Sequence, residues 1–280
     1  MLRCGKFQLS LARPLIMGIV NLTPDSFSGD GVASDTARAI EHAWRQIDAG
    51  ADMIDLGAES SRPGAIPTSL EEELMRLVPV LEGLSDCPVP ISIDTYKPEV
   101  MRAALEHGAS MINDIYALRR PGAVAAVAES DCAVCLMHMQ GEPLTMQKNP
   151  GYCGDVVNDV REFLIERVDA VMAAGVSSDR LVLDPGFGFG KTLDHNLAIL
   201  ARLEDTACQH LPVLAGMSRK TMLGAITGRA VEDRLAASIA AALIAAAHGA
   251  RILRVHDVAE TRDALAVWQA VEAARACVGR

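Results

Sequence analysis

The sequence predicts a single (β/α)8 barrel, a closed parallel barrel of the TIM type that spans residues 1–280. Eight short apolar runs rich in β-branched residues alternate with longer amphipathic segments, as strands alternate with helices in parallel α/β folds. Half of the residues are apolar but only 4% are aromatic, a composition that suits helices packed on buried parallel strands. No linker-like segment divides the chain, so we expect one domain. An open, doubly wound sheet is the alternative architecture.

The predicted elements follow one another regularly along the chain. The strands span residues 15–20, 53–56, 90–93, 110–112, 132–136, 181–183, 212–215 and 252–255. The helices span residues 36–49, 69–84, 98–107, 155–174, 193–203, 234–248 and 260–276, with a shorter, weaker helix between 118 and 130. Gly–Ala pairs at 50–51, 108–109 and 249–250 end helices directly before strands. Each longer loop therefore follows a strand, at the barrel end where enzymes of this fold place their active sites.

Composition and charge exclude several classes of function. The net charge of −10, with no long basic run, argues against a nucleic-acid partner. Residues 1–14 contain no apolar core of signal-peptide length, and the most apolar helical stretch, 238–250, is too short to span a membrane. We therefore expect a cytoplasmic protein. Cys132 and Cys135 lie three apart on a strand and point to opposite faces, so we expect buried thiols rather than a metal or redox pair.

Polar side chains follow nearly every predicted strand. In chain order they are Asn21, the segment 59–64, Asp94, Asn113 with Asp114, His138, Asp184, the segment 218–220, and Arg254 with His256. Taken singly, each has an ordinary alternative interpretation; Asp94, for example, could cap the helix that begins near Pro98. Because the carboxyl ends of all eight strands meet at one rim, we instead expect a convergent polar site.

The residue types at this rim indicate two kinds of ligand. Two carboxylates, an amide and a cation can pair with a flat heterocycle that has amino, ring N–H and oxo groups; they are Asp94, Asn113, Asp184 and Lys220. A second set, Arg254 and His256 on one strand face with Asn21, Ser60 and Ser61, indicates an anion site for phosphate groups. No cluster has zinc-ligand spacing, so any metal is expected to be Mg²⁺ held mainly by substrate phosphates.

The glycine-rich segment 186–192 resembles a phosphate-binding P-loop but departs from its pattern. The first glycine of that pattern would fall at Pro185. The dinucleotide-binding fingerprint also fails, because its third glycine would fall at Lys191. We expect a tight turn that presents Phe189 to a ligand.

Eight segments of the sequence together resemble those of the dihydropteroate synthases. The segments are Met17-Gly-Ile-Val-Asn-Leu-Thr-Pro-Asp-Ser-Phe27, Glu59-Ser-Ser-Arg-Pro-Gly-Ala65, Asp94-Thr-Tyr-Lys-Pro98, Asn113-Asp-Ile115, Met137-His-Met-Gln-Gly141, Asp184-Pro-Gly-Phe-Gly-Phe-Gly-Lys191, Ser218-Arg-Lys220 and Arg254-Val-His256. The resemblance covers residues 14–275 in the family's order. One departure is Ser61, where the family usually has Thr; the hydroxyl is kept and a methyl group is lost.

The resemblance implies a folate-pathway enzyme that joins 6-hydroxymethyl-7,8-dihydropterin diphosphate to p-aminobenzoate and is a target of sulfonamides. The implied pterin residues are Asp94, Asn113, Ile115, Met137, Asp184, Phe189, Gly216 and Lys220, with Asp94, Asp184 and Lys220 catalytic. The implied diphosphate residues are Asn21, Ser61, Arg254 and His256, with Asn21 also on Mg²⁺. The implied p-aminobenzoate residues are Phe27, Arg62, Pro63 and Ser218. The family also implies a homodimer, for which the Ala-rich segment 235–247 offers a close-packing face.

Two other functions remain open from the residues. A methyltransferase that passes a methyl group from methyltetrahydrofolate to a corrinoid protein would share the barrel and the pterin-holding Asp and Asn residues. It would not need the anion sites at Ser61-Arg62-Pro63 and at Arg254 with His256. A non-catalytic pterin-binding or anion-binding protein is the second alternative, which a turnover assay would distinguish.

Overall fold

The computed structural model describes residues 1–23, 32–60 and 64–278, and its strands close into a barrel of eight parallel strands. The prediction of a (β/α)8 barrel is therefore confirmed. The strands are β1 (Leu2–Cys4), β2 (Phe7–Leu9), β3 (Leu15–Asn21), β4 (Met53–Gly57), β5 (Ile91–Asp94), β6 (Met111–Asp114), β7 (Ala133–Met137), β8 (Leu181–Asp184), β9 (Val213–Ala215) and β10 (Ala250–Val255). Strands β3 to β10 follow one another around the barrel, and β10 pairs with β3.

Helices connect the barrel strands and cover their outer faces. They are α1 (Val32–Asp48), α2 (Leu70–Gly83), α3 (Pro98–Glu106), α4 (Ala123–Ala128), α5 (Val156–Ala173), α6 (Leu193–Ala201), α7 (Thr221–Thr227), α8 (Leu235–Ala247) and α9 (Val258–Val278). Side-chain caps explain several of their starts: Ser69, Asp155 and Thr192 each accept a hydrogen bond from a backbone N–H of the first turn. Within the described residues, no helix has both the length and the apolar character needed to cross a membrane.

The two-residue period of the strands sorts side chains between the barrel interior and the helical layer. Cys135 belongs to the interior cluster that includes Met17, Met53 and Met111. Cys132 instead packs in the outer cluster beneath the helices. The two thiols of the Cys-x-x-Cys sequence thus lie on opposite sides of the sheet, as their spacing predicts.

A hairpin that the sequence did not predict contributes to the lower core of the barrel. Strands β1 and β2 have three residues each, too few for a strand period to be recognised. Leu2 and Cys4 are buried in the interior cluster. The Gly5 N–H donates to the Asp131 carbonyl, just before β7, at 3.1 Å. The hairpin therefore packs at the amino-terminal end of the barrel, opposite the predicted site.

Other elements also differ from the sequence prediction; helix α1, for example, begins at Val32, four residues before its predicted start. Helix α7 was missed because it has only seven residues, one of them Gly224, which has a low helix propensity. Strand β10 begins at Ala250, two residues earlier than predicted. Its pairing with β9 shifts register between Ala250 and Ile252, and this irregularity interrupts the apolar pattern at the exposed Arg251.

Candidate active site

Neighbouring strands align polar residues in one layer at the carboxyl end of the barrel. Asn21 of β3 lies in register with Gly57 of β4, and Gly57 with Asp94 of β5. Asn113 of β6 follows beside Asp94. Gly57 lies between the two polar side chains, and a Cβ atom there would be in ordinary contact with both, 3.8 Å from Asp94 Oδ2 and 3.9 Å from Asn21 Oδ1. The register thus brings three of the predicted site residues around one opening.

The Arg254 guanidinium lies at this opening between two carboxylates. Its Nε donates to Asp55 Oδ2 at 2.6 Å, and its Nη2 donates to Asp94 Oδ2 at 2.8 Å. Asn113 Nδ2 lies 3.4 Å from the same Asp55 oxygen. Arg254, predicted for the anion site, therefore also contacts Asp94 of the predicted heterocycle set directly. Asp94 does not cap helix α3, which begins after Lys97 without a side-chain cap.

Asp55 is a site residue that the sequence analysis missed. It is completely buried in the middle of β4. An acidic residue within a buried strand is rare unless it is paired. Asp55 is the one charged residue in the predicted strand 53–56. Its presence there could have indicated a buried ion pair. Its partner, Arg254, is 199 positions away in the sequence, and only the closed barrel brings the two together.

Burial shifts Asp94, Asp184 and Lys220 toward their neutral forms. Burial raises the pKa of Asp94 to about 7, with Arg254 opposing the rise and Asp55 adding to it. Burial also raises the pKa of Asp184, which Lys220 opposes most strongly. Burial lowers the pKa of Lys220 to about 8 against the opposing effect of Asp184. Among the residues that the structure describes, three carboxylates face two cations here, so the opening favours a ligand rich in N–H donors.

Apolar side chains form a wall beside these charges. The buried cluster contains Ile115, Tyr116, Met137, Met139 and Met146, with Phe189 and Tyr96 packed against it. Lys220 Nζ lies 4.7 Å from the centre of the Phe189 ring and donates to the Phe187 carbonyl. Gly216 lies beside the Arg254 side chain, whose Cβ would be in ordinary contact, at 3.7 Å, with a Cβ at residue 216. All eight predicted heterocycle residues are thus described, in a setting that suits a flat ring with polar edges.

The glycine-rich turn is held from inside by Lys191. This buried side chain donates to the carbonyls of Gly186 at 3.0 Å and Phe189 at 3.1 Å, and its Nζ lies 2.9 Å from His138 Nδ1. Burial lowers the pKa of Lys191 well below its usual value. Burial and the nearby Lys191 lower the pKa of His138 to about 2, so the ring is neutral and Nδ1 can accept a hydrogen bond. Lys191 therefore shapes the turn that presents Phe189.

Both the backbone conformation and the close surroundings of residue 186 require a glycine. Its φ is +68°, and a Cβ atom there would lie 1.9 Å from the His138 carbonyl oxygen. We expect Gly186→Ala to destabilise the fold by about 2–4 kcal/mol, from left-handed strain plus a forced backbone shift. Gly228 is a matched control because its φ is +70° but nothing lies within 4 Å of its Cβ position. Gly228→Ala should cost only about 1–2 kcal/mol. Equal losses in urea unfolding would contradict this account of Gly186.

His256 and Ser218 contact each other across the loops that follow β9 and β10. Ser218 Oγ lies 2.9 Å from His256 Nδ1 and accepts a hydrogen bond from the His256 backbone N–H at 3.2 Å. Ser218 is nearly buried. The structure thus joins a residue from the predicted phosphate set to one from the predicted p-aminobenzoate set.

A second ionic cluster anchors the loops after β4 and β5. Lys97 Nζ donates to both Glu59 and Glu73, and Thr95 Oγ1 donates to Glu73 Oε1 at 2.6 Å. Tyr96 donates to Glu59 Oε1 at 2.8 Å. Neither Glu73 nor Lys97 was predicted as a site residue from the sequence. Because Thr95 follows Asp94 directly, this cluster fixes the backbone at the end of β5.

Four predicted site residues lie outside the residues that the structure describes. They are Phe27, Ser61, Arg62 and Pro63. Ser218 is therefore the single member of the predicted p-aminobenzoate set within the described residues. The predicted phosphate set is described at Asn21, Arg254 and His256.

Comparison with known proteins places the chain in a family. The chain matches the family described as "Pterin binding enzyme" over residues 17–256. It is 49% identical over 268 residues to the dihydropteroate synthase of Escherichia coli K12, covering 95% of each chain. Its structure is similar to that of Burkholderia cenocepacia dihydropteroate synthase complexed with 7,8-dihydropteroate, with a TM-score of 0.90, 53% identity and coverage of 98% and 97%. It is also similar to the Yersinia pestis dihydropteroate synthase in a sulfonamide drug complex, with a TM-score of 0.92, 45% identity and coverage of 97% and 99%.

Proposed function

The chain belongs to the dihydropteroate synthase family of pterin-binding enzymes, and from this we infer that it joins 6-hydroxymethyl-7,8-dihydropterin diphosphate to p-aminobenzoate. The products are 7,8-dihydropteroate and diphosphate. The observation that carries the inference is the opening where buried Asn113 and Asp184 and half-buried Asp94 and Lys220 lie beside an apolar wall. We assign the dihydropterin ring to this opening, with Ile115, Met137, Phe189 and Gly216 against its faces.

The carboxylates of the opening suit a reaction that develops positive charge on the pterin. Breaking the bond between the pterin methylene carbon and the diphosphate oxygen sends the electron pair to that oxygen. The positive charge left on the methylene carbon spreads into the ring. Asp94 and Asp184 stabilise it, because preorganised carboxylates in a water-poor site interact strongly with developing charge. Asp55 holds Arg254 in place beside them.

The diphosphate group is assigned to Arg254, His256, Asn21 and Ser61. The contacts of Arg254 with Asp55 and Asp94 use its Nε and Nη2. A guanidinium has five N–H donors, so Arg254 retains donors for a phosphate oxygen. The Asn21 side-chain oxygen, a hard ligand at the end of β3, suits Mg²⁺, which usually binds one or two protein groups together with substrate phosphates and water. When bound, Mg²⁺ neutralises diphosphate charge and makes it a better leaving group.

The second substrate is assigned to Phe27, Arg62, Pro63 and Ser218, at the border formed by Phe189 and Lys220. The lone pair of the aniline nitrogen forms the new carbon–nitrogen bond, and that nitrogen then loses one proton. A neutral aniline needs no strong base for this attack, so the reaction does not require a nucleophilic triad. The anion-binding residues Arg254 and His256 match this diphosphate substrate, and the corrinoid methyltransferase alternative is not favoured.

The pH dependence of kcat/KM should follow two groups of the free enzyme. Asp94 must be ionised to accept substrate N–H groups, so kcat/KM should fall as the pH drops through about 7. Lys220 must be charged, so kcat/KM should fall as the pH rises through about 8. Lys220→Arg should move the alkaline limb to higher pH, because a guanidinium stays protonated. A profile with the same alkaline limb in both proteins would contradict the assignment to Lys220.

Turnover tests the proposed function. Purified protein with Mg²⁺, the pterin diphosphate and p-aminobenzoate should release diphosphate and form 7,8-dihydropteroate in equal amounts. Removing Mg²⁺ with a chelator should abolish the reaction, and adding it back should restore it. A folded, Mg²⁺-replete protein that forms no product would refute the proposal.

We also propose that the enzyme is a cytoplasmic homodimer. Helices α7 to α9 and their connections expose large apolar side chains, namely Ile226, Val231, Leu235, Ile244, Val267 and Val271. A second copy of the chain would cover such a face. Light scattering should give twice the monomer mass, and Ile244→Glu should shift the protein toward the monomer. A wild-type monomer at micromolar concentration would contradict the proposal.

A further inference from the structure

Two consecutive residues after β9 pair with two consecutive residues after β10. Ser218 contacts His256, as described above, and the next residues along each loop, Arg219 and Asp257, form a two-point ion pair. Arg219 Nη2 lies 2.5 Å from Asp257 Oδ1, and Arg219 Nε lies 3.2 Å from Asp257 Oδ2. We call the four residues Ser218, Arg219, His256 and Asp257 the rim clasp.

Both sides of the rim clasp are fixed by the surrounding structure. Arg219 has a φ of +60°, which side chains other than glycine rarely adopt. Its backbone N–H donates to Ser238 Oγ at 2.9 Å, and its carbonyl accepts from Arg234 Nη1 at 3.0 Å. Such a conformation persists only where the surroundings enforce it, and it is typical of functional sites. The turn therefore directs the Arg219 side chain toward Asp257.

The β10 side of the clasp is equally constrained. Gln46 Nε2 donates to the His256 carbonyl at 3.0 Å. The Asp257 carbonyl accepts from Thr261 Oγ1 at 2.7 Å at the start of α9. His256 and Asp257 thus lie on a short, well-anchored segment between β10 and α9.

The clasp connects residues that serve different substrates. The loop after β9 contains Ser218 and Lys220, whereas the segment after β10 continues from Arg254 and contains His256. Arg219 pairs with Asp257 through Nε and Nη2, so this ion pair joins the two loops. The side chains of Arg219 and Asp257 are 41% and 15% exposed, so the pair is partly shielded from water.

We propose that Arg219 and Asp257 are positioning residues that hold His256 and Ser218 in place for the diphosphate and p-aminobenzoate. This inference rests on the proposed function. Ser218 Oγ accepts the His256 backbone N–H, so its own proton can be donated to Nδ1. In the tautomer that accepts this bond, the imidazole proton lies on Nε2, and this N–H is the donor that we assign to a phosphate oxygen. The ion pair keeps the two loops close enough for this contact.

Asp257→Asn tests the inference, since it removes the charge but keeps the side-chain shape. Calorimetry should show that inorganic diphosphate with Mg²⁺ binds about three- to tenfold more weakly, the loss expected for a partly exposed two-point ion pair. The KM for p-aminobenzoate should rise by a similar factor. Binding of 6-hydroxymethyl-7,8-dihydropterin, which lacks diphosphate, should change less than about twofold, since Asp257 lies outside the ring pocket.

Three further variants separate positioning from general stability. Arg219→Gln breaks the same pair from the other side and should reproduce the losses, and Asp257→Glu should restore most of the diphosphate affinity. Asp205→Asn is the matched control: it breaks the exposed pair with Arg202 just after the end of α6 and should change neither affinity.

The outcomes distinguish this inference from the proposed function. If wild-type protein turns over both substrates but Asp257→Asn binds diphosphate normally, the rim clasp has no positioning role. Equal losses for diphosphate and for the free pterin in Asp257→Asn would also overturn it, because they would indicate a general structural effect. A wild-type protein that binds neither ligand overturns the proposed function itself, and the inference with it.

Discussion

Truncating Arg254 to alanine should destabilise the fold by about 3–5 kcal/mol and weaken binding of both the diphosphate and the pterin ring. The guanidinium lies between Asp55, which is completely buried, and Asp94. Burial opposes the charge on Arg254, but the two carboxylates more than compensate, and the net effect raises its pKa. Removing Arg254 would therefore leave negative charge at the barrel mouth without its partner. Denaturant unfolding and calorimetry with each ligand measure the two effects.

A second substitution tests the cause of that loss. Asp55→Asn in the Arg254→Ala background removes the orphaned buried charge, so the double variant should regain part of the stability lost by Arg254→Ala alone. Arg254→Lys should lie between wild type and Arg254→Ala, because an ammonium cannot contact both carboxylates with a rigid fork. A loss below about 1 kcal/mol for Arg254→Ala would show that the three groups are not coupled as the distances suggest.

Asp184→Ala should weaken pterin binding by about 2–4 kcal/mol, or roughly 30- to 1000-fold. Asp184 is nearly buried, and its Oδ1 accepts the Gly186 N–H at 2.7 Å. Its loss would leave substrate donors unpaired and also loosen the turn that presents Phe189. Asp184→Asn keeps the contact with Gly186 but removes the charge, so it isolates the electrostatic part. Unchanged affinity for 6-hydroxymethyl-7,8-dihydropterin in Asp184→Ala would mean that the ring binds elsewhere.

The barrel and its polar rim could be predicted because each depends on local pattern. Buried parallel strands appear as short apolar runs, and the residue that ends each run reaches the same rim in any closed barrel. Asp94, Asn113 and Asp184 were identified in this way. The helical bounds were also close, because caps such as Ser69 and Thr192 mark where helices begin.

The remaining features depend on contacts between distant parts of the chain. From the sequence, Arg254 belongs to the predicted diphosphate set and not to the pterin set. Its contacts with Asp55 and Asp94 lead us to expect that both ligands are affected by Arg254→Ala. The hydrogen bonds of Lys191 to the turn and the ion pair of Arg219 with Asp257 likewise join separate loops, and no spacing rule in the sequence specifies them.

A crystal structure of the protein with bound 7,8-dihydropteroate, diphosphate and Mg²⁺ tests the central claim most directly. We expect the pterin ring within hydrogen-bonding distance of Asp94, Asn113 and Asp184, with its face against Phe189. We expect diphosphate at Arg254 and His256, and the p-aminobenzoate moiety toward Ser218. A ring bound away from the three polar side chains, or a diphosphate that contacts neither Arg254 nor His256, would contradict the account.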